Sequence, residues 1–391
     1  MGIKDELLQE ILAIPNNTIV LQLPTGVGKT RLAIEKIKSW NINRLLIVIN
    51  RLALIDTWKT EIKKWRLNCK DITFVTYQSL HKQINESYDA IIYDEGHHIS
   101  NRCAHIIPAI NSKYNLILSA TIPREVLDRF SIIFRGAYYL KKNLRNVIDN
   151  GVLPDPTVYL LPLKLDNKSR VETLIINPKG KIKKECTYDE HFQYLKDKKY
   201  KLLVQVTKQE KYNYLDGQIE YWKNRYFSTS RISDKNRWLS LCSTRLKYLS
   251  TIKLSHIKDI LTYIKNTRSI TFCNTIEQTE ALGTNCINSN NKDSLELLDS
   301  FNSGSINHIY TCNMLNEGVN LVNCRIGVFC NLNSSDTIII QRVGRLLRHK
   351  DPIIIIPYYS NTREQELVTK MCENYNPQKI KSITCLSQLV L

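Results

Sequence analysis

The stretch Leu23-Pro24-Thr25-Gly26-Val27-Gly28-Lys29-Thr30 decides the reading of this chain. An apolar run, 18–23, stands before it and a helical pattern, 31–39, follows it, so a strand feeds a glycine turn that opens a helix. In that setting the N–H groups of the turn and the positive helix end converge on one place, where phosphate oxygens satisfy both. Thr25, Gly26 and Gly28 form the cradle, Lys29 reaches the outer phosphates, and Thr30 offers a hydroxyl to Mg²⁺. The generic motif begins with Gly where this chain has Leu23, so the match rests on the rest of the loop and on its setting. It predicts a site for a nucleoside triphosphate.

Outward along the chain, the run 89–93 reads as a buried parallel strand that ends in Asp94-Glu95-Gly96-His97-His98. Ligands of a doubly wound sheet bind at the carboxyl ends of its strands. Asp94 is therefore placed to hold Mg²⁺ and Glu95 to polarise an attacking water. Zinc at His97 and His98 is disfavoured, because adjacent histidines on one short turn rarely give two ligands of a tetrahedron. Near the other end, Gln341, Arg345 and Arg348 recur at i, i+4 and i+7 of a predicted helix over 336–348 and share one face. That face can bring positive charge to a transferring phosphoryl group.

The segments 24–30 and 94–97, Ser119-Ala120-Thr121, and Gln341 through Arg348 resemble, in order and spacing, motifs I, II, III and VI of the superfamily 2 helicases of DExH type. Weaker matches stand between them. Ile49-Asn50-Arg51 resembles motif Ia, Thr76-Tyr77-Gln78-Ser79-Leu80 a following DNA-contacting motif, 270–274 motif IV, and Asn316-Glu317-Gly318-Val319-Asn320 motif V. Asn320 departs from the family, where Asp is common, and no full adenine-reading motif precedes the loop; Gln9 is the candidate for that role, against an ordinary surface Gln. The resemblance implies two RecA-like motor domains, with ATP and Mg²⁺ bound between them. It assigns Lys29, Asp94, Glu95, Gln341, Arg345 and Arg348 to hydrolysis and adds Gly318 to the nucleotide site. Arg51, Thr76, Ser119 and Thr121 become the residues facing nucleic acid. The form Asp94-Glu95-Gly96-His97 and the chain's size resemble phage and repair helicases that remodel branched DNA. A duplex translocase of a restriction or defence complex, an RNA helicase, and an ATP-gated nucleic-acid clamp stay open.

Composition agrees with a polyanionic partner. The 391 residues carry a net charge of +18 and a sequence pI near 9.3. Nucleic acid fits this better than a membrane surface, since no basic amphipathic helix stands out, and the resemblance favours DNA. Eleven cysteines, an odd number with no C-x-x-C pair, argue for a reducing compartment and against disulfides or structural zinc. No apolar run approaches a membrane span, and the expectation is a soluble, cytoplasmic protein.

Alternating strands and helices over 1–150 predict one α/β doubly wound parallel-sheet domain, and a second such pattern occupies 151–391. Between them in character lies 166–250, which fits neither sheet and reads as a basic, aromatic-rich insertion in the second domain. Its basic excess is half of the chain's +18. Cations neutralise phosphates and exposed rings stack on unpaired bases, so the insertion, with Trp222 and Arg225, is expected to engage nucleic acid. At least half of its rings should form its own core, Trp238 and Tyr248 foremost.

Overall fold

The computed structural model describes residues 3–312, 321–332 and 336–391. Its strands are β1 Thr18–Gln22, β2 Arg44–Ile49, β3 Asp71–Thr76, β4 Ser87–Tyr93, β5 Asn111–Ser119, β6 Tyr138–Lys141, β7 Thr157–Leu163, β8 Glu172–Ile176, β9 Ile182–Thr187 and β10 Tyr200–Val206. They continue with β11 Ser269–Phe272, β12 Cys286–Ile287, β13 His308–Thr311, β14 Ile326–Phe329, β15 Ile353–Tyr359 and β16 Ile380–Ser382.

The first sheet runs β3-β2-β4-β5-β1-β6 and the second β12-β13-β11-β14-β15-β7-β16, each parallel throughout. Parallel strands covered by helices on both faces bury every side chain, so they read as unbroken apolar runs. β2, Arg-Leu-Leu-Ile-Val-Ile, buries all but its first residue, and Ile353 to Ile356 of β15 are all buried. These are two RecA-like doubly wound domains. The edge strand β6 buries Leu140 alone.

Between β7 and β11 stands a third unit. β8, β10 and β9 form a small sheet, antiparallel on one side of β10 and parallel on the other. The helices Lys208–Thr229 and Ile232–Ile252 follow as a hairpin. Thr207 caps the first helix in a reciprocal box with Glu210, and Ser230, at φ 52°, turns the chain back. Tyr188, Tyr194, Tyr200 and Tyr214 pack on the core of the small sheet, while Tyr212 and Tyr248 join Leu165, Leu215, Leu249 and Tyr359 at the hairpin base. Trp238 does not join them. It lies half-buried near the far end of the hairpin against Tyr226 and Phe227, because helical spacing says which residues share a face and not which end of the helix meets protein.

A buried polar cluster ties this hairpin to the second sheet. Lys253, fully buried, gives its ammonium to both oxygens of Glu364 at 2.6 and 2.7 Å and to the Cys330 carbonyl at 2.9 Å. Asn331 donates to Glu364 and accepts from Ser250 of the second hairpin helix. Each charge in this cluster is matched, which a buried ion pair requires.

Candidate functional site

β1 delivers the phosphate-binding loop to the carboxyl edge of the first sheet. Leu23, the residue that departs from the motif, continues the strand: its N–H bonds the Ser119 carbonyl at 2.9 Å and its side chain is buried. Gly26 and Gly28 adopt φ of 96° and 93°, in the left-handed region that side chains disfavour. Gly28 caps the helix Lys29–Ser39 without a side-chain bond, so the helix start offers its N–H groups and dipole outward. Lys29 Nζ lies 3.3 Å from the Leu23 carbonyl and 4.0 Å from Glu95 Oε1. Thr30 is half-buried at the same helix start.

β4 delivers the acids. The Asp94 carboxylate accepts the indole N–H of the buried Trp58 at 2.9 Å, and Tyr77 donates its hydroxyl to the Asp94 carbonyl at 2.8 Å. Burial and the neighbouring Glu95 push the Asp94 carboxyl up to about 6, held from rising further by Trp58 and Lys29. Glu95 sits at φ 48°, a conformation costly for a side-chain-bearing residue and typical of functional turns. Among the described residues its Oε2, which is buried, has no hydrogen-bond partner, and neither has Thr25 Oγ1. Two adjacent half-buried carboxylates, unsatisfied oxygens and a ring of N–H donors fit a nucleotide polyphosphate carrying a hard cation. Asp94 and Thr30 would hold the cation.

His97 connects this edge to β5. Its Nδ1 lies 3.0 Å from Ser119 Oγ and 3.5 Å from Glu95 Oε2, and Ser119 donates to the Thr121 carbonyl at 2.6 Å. Ser119 is fully buried, so the expectation that it touches nucleic acid is corrected: it is an internal link between Glu95, through His97, and the loop at Thr121. Arg51, exposed, and Thr76, half-buried, stand beyond β2 and at the end of β3 on the same edge. Gln9 is exposed on the helix Ile3–Leu12 with no side-chain hydrogen bond among the described residues. Gly318 lies outside the described residues.

The second domain meets the loop through the helix Asp336–Leu346. That helix stops short of the expected 348, so Arg348 occupies the turn after it. Gly344 rests directly on the loop: a Cβ there would lie 2.5 Å from both Cβ and O of Thr25, and one on Gly26 would lie 2.9 Å from the Gly344 carbonyl. Gln341 and Arg345 are buried one turn apart on this helix. Arg348 is exposed at the rim; surrounding protein lowers its guanidinium pKa, opposed by the charge of Glu61 on the first domain's helix Leu54–Lys64. Arg342 was missed by sequence reasoning. Its guanidinium bonds the Cys273 carbonyl at 3.1 Å and lies 3.5 Å from Asn274 Oδ1, locking the helix to the end of β11. Trp58 was also missed, since only the fold brings its ring to Asp94. At the hairpin, Trp222 is half-buried and Arg225 lies over its ring at 5.2 Å.

A phosphate-binding loop and paired acids on one RecA-like sheet, closed by an arginine-bearing helix from another, define a two-domain nucleotide-hydrolysing motor. Residues 5–124 match the family model of the type III restriction enzyme res subunit, and 252–350 that of the helicase conserved C-terminal domain. The DNA 3'-5' translocase XPB2 of Sulfurisphaera tokodaii is 24% identical over 396 residues, spanning 91% of this chain and 79% of that protein. The fold is shared with the Pyrococcus furiosus Hef helicase domain, at TM-score 0.51 and 14% identity over 94% of this chain and 97% of that one. It is shared too with S. cerevisiae Dbp5 bound to RNA and ADP BeF3, at TM-score 0.61 and 11% identity over 98% and 89%. The chain belongs to the superfamily 2 helicases and is an ATP-dependent nucleic-acid helicase or translocase.

Proposed function

We propose that the chain is an ATP- and Mg²⁺-dependent DNA helicase that remodels branched DNA, with motor domains at 1–150 and 151–391 and the junction engaged by 166–250. The observation that carries the reading is the contact of Gly344 with Thr25, which joins the phosphate loop of one sheet to the helix of the other that bears the buried Arg345. ATP bound there bridges both domains. Lys29 and the helix start hold its phosphates, Glu95 orients water, and Arg345, with Arg348 from the rim, stabilises charge on the transferring group. Bound Mg²⁺ would neutralise phosphate charge. Closure with ATP and opening after hydrolysis move Arg51, Thr76 and Thr121 against the second domain along a strand. DNA is favoured by the translocase relative, and branched DNA by a basic insertion beside the motor track.

ATP turnover with single-stranded DNA, duplex, forked DNA and RNA, run beside strand-separation and triplex-displacement assays, tests this. Forked DNA should stimulate turnover most and be separated. Triplex displacement without separation would instead indicate a duplex translocase, the reading that the restriction-subunit match favours. Preference for RNA would overturn the DNA assignment.

Trp58 gives a sharper test of the cation site. Trp58→Phe keeps most of the buried ring and removes the N–H bound to Asp94. Loss of such a supporting bond typically weakens metal affinity by about 10- to 100-fold. Titrating Mg²⁺ against a fluorescent ATP analogue should show that weakening, with melting temperature nearly unchanged. Parental Mg²⁺ dependence would remove Trp58 from the site.

A further inference from the structure

The far end of the helical hairpin is built unlike a helix end that only closes a core. From Glu220 to Lys247 the single fully buried side chain is Asp234. It accepts from Thr229 Oγ1 at 2.8 Å and Arg225 Nε at 3.2 Å, pinning the two helices where they turn at Ser230. Around this pin the rings are left outward. Tyr221 is 55% exposed and Phe227 66%, and Ile232, at the start of the second helix, 74%. Phe227 packs on Tyr226 and Trp238, with centroids 5.5 and 6.1 Å away, and Tyr226 is near-parallel to Trp238 at 30°. Lys235 lies over the Tyr226 ring and Arg225 over Trp222. The hairpin base is fixed to the second motor domain by Tyr212, Leu215, Tyr248 and Leu249, so the turn at Ser230 projects roughly 22 to 27 Å from that anchor.

Exposing this much aromatic surface costs solubility unless a partner covers it. Lys223, Arg225, Arg231, Lys235 and Arg237 against Glu220 and Asp234 make the same end basic. Rings held rigid among cations suit a flat, polyanionic partner, whereas an apolar protein surface would gain nothing from the charges. We propose that the hairpin end, centred on Phe227 and Tyr221, is a stacking platform for unpaired bases at a DNA junction. Phe227 caps the terminal exposed base while the basic side chains hold the phosphates on either side. This rests on the proposed action on branched DNA and names the surface that meets the unpaired strand.

The test uses the full chain. Affinity is measured by fluorescence anisotropy for a fork with single-stranded arms and for a blunt duplex of equal length. Phe227→Ala and Tyr221→Ala, both at exposed positions, should each weaken fork binding about tenfold, the effect of one lost stacked base, and spare blunt-duplex binding and basal ATP turnover. Phe227→Trp should restore the fork affinity and Phe227→Leu should not, because Leu keeps the apolar surface and loses the flat face. Parental fork affinity in both alanine variants, or equal rescue by Leu, overturns the platform while leaving DNA-stimulated turnover, and hence the motor reading, intact. A parent chain that self-associates through this end, with Phe227→Ala becoming monomeric in light scattering, overturns it also. If no DNA stimulates the parent, the functional reading itself fails, and the platform with it.

Discussion

Lys29→Ala is expected to abolish ATP turnover and Glu95→Gln to reduce it by about 10²- to 10⁴-fold, the usual worth of a positioned general base. Neither residue supports the core. Among the described residues Lys29 bonds only its own loop and lies 4.0 Å from Glu95, and Glu95 Oε2 has no hydrogen-bond partner. Both variants should therefore fold with nearly parental melting temperatures. They should differ in binding: Lys29→Ala loses nucleotide affinity, because a cation that clamps phosphate is gone, whereas Glu95→Gln keeps the side chain's shape and one oxygen, loses the base, and binds nucleotide without turning it over. Equilibrium binding of a fluorescent nucleotide beside phosphate release separates the two. Near-parental hydrolysis by either would place the chemistry elsewhere.

The seam between the domains carries the second large effect. Arg345→Ala should lower nucleic-acid-stimulated kcat by about 10³- to 10⁵-fold, roughly 4–7 kcal/mol of transition-state stabilisation, if its buried guanidinium is the arginine finger. Gly344→Ala probes the same closure without touching a charge. Its new methyl would lie 2.5 Å from Thr25 Cβ and from the Thr25 carbonyl, atoms of a backbone loop that cannot rotate aside. The helix must back away, and a displacement of about 1 Å in such a site costs on the order of 10²-fold. Nucleotide affinity of the first domain should persist in both variants. Measured rates within a few-fold of the parent for Arg345→Ala would remove the finger from this helix, and for Gly344→Ala would show that hydrolysis does not need the seam closed.

The inner strands were legible because each is buried on both faces: β1, β2, β14 and β15 appear in the chain as short apolar runs with turn residues after them. β6, β12 and β16 were not. β6 buries one residue, β12 has two, and β16 leaves its side chains half or fully exposed, so no periodic pattern marks them. The insertion was visible as a change of composition, yet its small sheet and hairpin were not, since its tyrosines look alike in sequence whether they pack on the small sheet, as Tyr188 and Tyr214 do, or face solvent, as Tyr221 does.

By itself the sequence determined the phosphate loop, the paired acids and the arginine-bearing helix, because each needs only neighbours a few residues apart to define its chemistry. The tertiary structure alone decided which of these meet. That Trp58 steadies Asp94, that Ser119 faces inward to His97, that Arg342 bonds the end of β11, and that Gly344 touches Thr25 all depend on how two sheets pack. Such distances are set by every layer of core between the elements, and a shift of one ångström there changes a contact without changing any local pattern in the chain.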